Sequence, residues 1–351
     1  MQPSLESHLL KNLLPEKFQN FELIYTSSTG QLFRCIYKGM YNISTPYLIK
    51  VRQVKKTQKN PEIMIQEQEN IEREISLLLK IKSTPFKPNA ILEFHGFYKS
   101  LNSDGVDYSL VFEYCTVSLS SFIDDQRKNS KLVPIKQIQE LLKDLIEGFA
   151  FLQSIDINFG DLKPTSLMLN EKERVKIFDF SAAKEISNPN EAFEGESLAF
   201  FNNVQGNLVY LAPELKAGFQ NNEKEKKFNS FKCDVYSLGL VLLEVGSLKK
   251  CKFIGVKPEM EKFVHECLLK FKTNFNNDEG KDKKEVRDMI KALQECLNFE
   301  PKERPDFLEL FCKKMADNKN KQKMKFHLLI ENLEYEEVMK LLEKKAGVEQ
   351  K

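Results

Sequence analysis

The chain has 351 residues, 41% hydrophobic and 30% charged, with a formal net charge of +2; this composition excludes a disordered chain and supplies no charge to draw it to nucleic acid or a membrane surface. Seven cysteines (Cys35, Cys115, Cys233, Cys251, Cys267, Cys296 and Cys312) are scattered without a C-x-x-C pair, which excludes a disulfide or zinc framework and reads as reduced thiols of a soluble, intracellular protein placed in the cytoplasm. No apolar run approaches ~20 residues, so no conventional membrane span is expected, and the opening MQPSLESHLLKNLL, with Glu6 and no long apolar core, is a poor signal peptide.

In chain order, Leu9, Leu10, Leu13 and Leu14 fall at helical spacing and stop at Pro15, predicting a short helix. Residues 21–51 are rich in aromatic and β-branched types, predicting strands with a turn over 27–30. Ile71, Ile75, Leu78 and Leu79 predict one apolar face of a helix over 66–80. SLVFEYC, residues 109–115, reads as a further strand, and Ile138, Leu142, Leu145, Ile146, Phe149 and Leu152 predict a long helix.

The stretch FGDLKPTSLMLNEKERVKIFD, residues 159–179, then places Asp161 and Asp179 at either end of a loop holding two short apolar runs, 167–169 and 175–177, joined by the polar turn 170–174. Two acids brought together in this way can bind a divalent cation and accept a proton, the minimum for moving a phosphoryl group. A polar segment with Ser187 and Ser197 follows, then a charged insertion over 216–231 and a nearly all-apolar helix opened by Asp234, for which a plain N-cap is one reading. Beyond Lys313, Leu328, Leu329, Leu333, Val338, Leu341 and Leu342 predict a helical tail, packed on the body or docking a partner helix.

Three ordered motifs carry a resemblance. Asp161-Leu162-Lys163-Pro164 resembles the catalytic loop of eukaryotic protein kinases, Asp179-Phe180-Ser181 their metal-binding triplet, and Ala212-Pro213-Glu214 the close of their activation segment. The resemblance covers roughly residues 20–312 and implies an α+β, two-lobed protein kinase-like fold. A small, mostly antiparallel β lobe with one main helix would occupy 18–113 and a large, mostly helical lobe 114–312, between an extension (1–17) and a helical tail (313–351).

It also implies transfer of the ATP γ-phosphoryl group, with Mg2+, to Ser/Thr hydroxyls of a protein substrate. Gly30, Leu32, Lys50, Glu74, Phe112, Glu113, Cys115 and Met168 would hold the nucleotide, with Lys50 paired to Glu74. Asp161 would accept the substrate proton and Lys163 neutralise the transferring phosphate; Asp179 and Ser166 would hold the metal. Asp234 would anchor the catalytic loop, and Glu214 with Arg304 would form a buried ion pair.

Departures are concentrated in the same places. Tyr25 and Ser27 replace two glycines of the phosphate loop, Leu48 the usual alanine against adenine, and Ser166 an asparagine. Ser181 replaces a glycine, Asn207 a threonine, and Phe159-Gly160 a His-Arg pair whose arginine reads a phosphorylated activation segment. Two functions are therefore carried forward: a slow or atypically regulated Ser/Thr kinase, and a pseudokinase acting as a scaffold or allosteric binding module.

Overall fold

A computed structural model of the chain describes residues 15–27, 30–39, 43–55, 61–85, 87–186, 197–200, 208–221, 225–252, 257–275 and 283–316. The helices expected from Leu9 to Leu14 and from Leu328 to Leu342, and the positions of Ser187 and Asn207, lie outside the described residues. The chain divides into two compact units, residues 1–118 with 168–183, and residues 119–167 with 184–351.

The first unit is built on a five-stranded antiparallel sheet in the order β1-β2-β3-β5-β4. Its strands are β1 (Phe18–Ser27), β2 (Gly30–Lys38), β3 (Ser44–Lys55), β4 (Phe94–Asn102) and β5 (Gly105–Glu113). Gly30 opens β2 with φ +133°, and a Cβ there would lie 2.5 Å from the Val51 carbonyl oxygen. The close approach of β3 thus demands a glycine independently of any ligand. One face of the sheet packs Phe18, Cys35, Tyr37, Ile49 and Val111 into an apolar cluster. The alternate face carries Leu32, Leu48, Lys50, Leu110 and Phe112, because neighbours two apart on a strand share a face.

Helix α1 (Pro61–Ser83) is longer than the 66–80 expected. Its first turn begins on Pro61, which suits a helix start, but exposes Ile63 and Ile65, so the apolar periodicity becomes legible only later. The buried stripe is Ile71, Glu74, Ile75, Leu77, Leu78 and Ile81. Two short strands, Leu167–Leu169 and Val175–Ile177, form as expected, with Asn170 N–H donating to the Arg174 carbonyl across the turn. The main chain of Ile177 bonds to that of Ala90 and Leu92, which ties this hairpin into the unit.

The second unit is helical: α2 (Leu119–Lys128), α3 (Ile135–Ser154), α4 (Pro213–Gln220), α5 (Ser230–Ser247), α6 (Lys257–Phe275), α7 (Lys283–Cys296) and α8 (Phe307–Ala316). Helix α5 runs through its centre, buried nearly throughout. The expected charged insertion over 216–231 is instead α4, with Lys216 buried, followed by Glu225–Phe228 paired antiparallel to Ser197–Phe200. Asp234 does not cap α5. Asn229 does, its side chain accepting from Lys232 N–H at 3.0 Å. Among the described residues no helix is long and apolar enough to cross a membrane.

Arg304 is fully buried and donates to both oxygens of Glu214, at 2.7 and 3.2 Å, and to the carbonyls of Lys232 and Asn298, each at 2.9 Å. Removing one partner leaves the other charge buried and uncompensated. Arg304→Leu is therefore expected to lose about 3 to 5 kcal/mol of stability, read from urea unfolding of the two proteins.

Candidate active site

The charged part of the site is set by strand register within the first unit. Tyr25 lies opposite Leu32, and Leu32 opposite Lys50, so the three side chains stand on one face. The Lys50 ammonium lies 2.6 Å from Glu74 Oε1 and 2.6 Å from Asp179 Oδ1. Glu74 occurs on the otherwise apolar stripe of α1, facing β3, and is 1% exposed. Its second oxygen, Oε2, accepts from Arg52 Nη1 at 2.7 Å. A row Arg52–Glu74–Lys50–Asp179 results, with charges alternating in sign.

Asp179 adopts the left-handed backbone region, φ +62° and ψ +71°. A non-glycine residue held there stores local strain that the surroundings must enforce. The one-turn segment Phe180–Ala182 that follows packs on α1, and Arg73 Nη2 donates to the Ser181 carbonyl at 3.1 Å. Tyr25 reaches the same end. Burial pushes its phenol well above the ordinary tyrosine range, and the negative charges of Asp179 and Glu74 push it the same way.

The residues expected beside adenine follow a different rule. Leu32, Leu48, Phe112, Cys115 and Met168 are each at most 2% exposed. Phe178, immediately before Asp179, is fully buried, with its ring 5.3 Å from that of Phe112 and 5.8 Å from Lys50 Nζ. Phe112 in turn packs on Phe94 at 5.4 Å. Glu113 uses its N–H on the Glu93 carbonyl at 2.9 Å and its carboxylate on Lys176 at 2.7 Å. Burial pushes the Cys115 thiol up to about 12, so it behaves as a small apolar group. The residues at the charged end fit a magnesium nucleotide: a buried ammonium for phosphate oxygens and a carboxylate for the metal. The residues at the base end are closely packed apolar side chains.

In the second unit, Asp161 and Lys163 pair with each other. The Ser166 hydroxyl donates to the Lys163 carbonyl at 2.8 Å, accepts from Lys163 N–H at 3.1 Å and lies 3.2 Å from the Asp161 carbonyl. It braces the loop, which commits the oxygen expected on the metal. Asp234, four residues inside α5, accepts from Asn158 Nδ2 at 2.7 Å and from the N–H groups of Phe159 and Gly160 at 3.1 Å. Gly160 adopts φ +79°, a conformation with no Cβ penalty for glycine. Burial pushes the Asp234 carboxyl up to about 7 against the pull of these N–H donors, with the Asp161 charge adding to the rise.

Three side chains at the site escaped the sequence reading. Arg52 stands two residues beyond Lys50, hence on its face; Arg73 precedes Glu74; Phe178 lies inside the run FDF. Strand alternation could have flagged Arg52. Nothing in the local pattern shows which way Phe178 points.

A family model described as the protein kinase domain matches residues 28–316. Among curated proteins, the chain is 29% identical over 183 residues to mitogen-activated protein kinase kinase 2 of Arabidopsis thaliana, covering 52% of this chain and 44% of that protein. It is 24% identical over 298 residues to serine/threonine-protein kinase 4 homolog A of Dictyostelium discoideum, covering 84% and 55%. Against serine/threonine-protein kinase pakG of the same organism, identity is 26% over 223 residues, covering 64% of this chain and 16% of that protein. The chain thus spans between a sixth and about half of the length of these relatives.

The Asp234 anchor yields a pH dependence. Its carboxyl releases its proton near the ordinary 3.8 in an unfolded chain but only at about 7 in the folded one. As pH rises through that window the unfolded state binds fewer protons than the folded state, so stability falls. Thermal unfolding is expected to show wild type losing ground to Asp234→Asn from about pH 4 to pH 7, and a constant gap above it.

Proposed function

Because the chain belongs to the protein kinase domain family, we propose that it transfers the γ-phosphoryl group of ATP, with Mg2+, to Ser or Thr hydroxyls of a protein substrate. The observation that carries this reading is Lys50, held at 2.6 Å from both Glu74 and Asp179. The three residues come from a strand, a helix and a distant loop, and this pairing is what positions a lysine for phosphates and a carboxylate for metal.

When bound, the magnesium nucleotide supplies the phosphoryl group and the positive charge that stabilises its transfer. Lys50 would hold phosphate oxygens of the nucleotide and Asp179 the metal, in place of the ion pair they now make with each other. Asp161 orients the acceptor hydroxyl and takes its proton, and Lys163 leaves Asp161 to offset charge on the moving phosphate. Lys163, two residues after Asp161, and the names of two of the relatives support a Ser/Thr acceptor. Seven free cysteines, six of them buried, support a reducing, cytoplasmic setting.

The closed base end favours a second reading, a binding or scaffolding module with weak or no turnover. Thermal shift with Mg-ATP, followed by radiolabel transfer to a generic basic protein, separates the two. A magnesium-dependent shift with transfer lost in Asp161→Asn is the result expected of a kinase. Neither signal at millimolar ATP rejects it in favour of the module. Leu48→Ala removes three carbons from the packed base end and is expected to tighten Mg-ATP binding by about tenfold, measured by titration calorimetry.

A further inference from the structure

Glu74 carries two cations, one on each oxygen: Lys50 on Oε1 and Arg52 on Oε2. Lys50 is itself divided between Glu74 and Asp179. Without Arg52, one ammonium would have to balance two carboxylates inside a site where water is nearly absent, and any demand on Lys50 would loosen its hold on Glu74. Arg52 is placed for this by alternation along β3 and by the bare Gly30 opposite, where a Cβ would come within 3.1 Å of Arg52 Cγ. One residue before Glu74, Arg73 fastens the same helix to the Ser181 carbonyl. Helix α1 is thereby tied both to β3 and to the residue after Asp179-Phe180.

We propose that Arg52 is a positioning residue, which holds Glu74 against Lys50 while Lys50 changes partners and so keeps α1 engaged on β3. The consequence for phosphoryl transfer rests on the kinase reading above; the tether itself does not. Arg52 acts through Glu74, which it meets at 2.7 Å.

The test compares wild type, Arg52→Gln and Arg52→Lys. In nucleotide-free protein, amide hydrogen exchange across residues 61–83 is expected to quicken about tenfold in Arg52→Gln, the factor set by losing one charge-assisted hydrogen bond. Arg52→Lys, which restores a cation, should return most of the protection. In transfer assays Arg52→Gln should raise KM for Mg-ATP about tenfold with a smaller change in kcat. Unchanged exchange in Arg52→Gln overturns the positioning role. If no variant transfers phosphate, the kinase reading falls, and helix exchange alone decides the role of Arg52.

Discussion

A lysine ammonium buried between two carboxylates is the constraint on which the first unit depends. Lys50 has a side chain 4% exposed, and an isolated charge in such a place would be expelled or neutralised. It persists because Glu74 and Asp179 meet it and Arg52 meets the far oxygen of Glu74. The residues come from a strand, a helix and a loop more than a hundred positions later, so satisfying the charge also fixes how these pieces pack. Asp179 is held in a left-handed conformation by the same enclosure.

Electrostatics and packing divide the labour at this site. At one end, paired charges are assembled and a nucleotide's phosphates would exchange one anionic partner for another. At the other, Leu48, Phe112 and Phe178 occupy space with carbon. The second unit has its own anchor of similar logic. A buried carboxylate, Asp234, gathers three N–H donors from residues 158–160 and so fixes the start of the loop that carries Asp161.

Much of this was legible because it rests on short-range order. The apolar stripe of α1, the two short strands around residues 170–174 and the long α3 all follow from periodicity, and Glu74 is conspicuous as an acid on an apolar stripe. Lys50, Asp161 and Asp179 followed from motif order. Long-range pairings were legible only through the motif resemblance, which placed Asp234 as the anchor of the catalytic loop, Lys50 against Glu74 and Glu214 against Arg304. The plain N-cap reading of Asp234 fails, since Asn229 caps α5 and Asp234 turns inward. Residues 216–231 read as a charged insertion, yet part of them lies in α4, where Lys216 is buried with its ammonium donating to the Val209 carbonyl. Ser166 reads as a shortened metal ligand until its hydroxyl is seen bracing its own loop.

The aromatic contact between Phe178 and Phe112 bears on how chemists could address this domain. The two rings meet edge to face in a close-packed interior beside Lys50, so a compound reaching past Phe112 toward that ammonium would have to shift an aromatic ring. That displacement would weaken its binding.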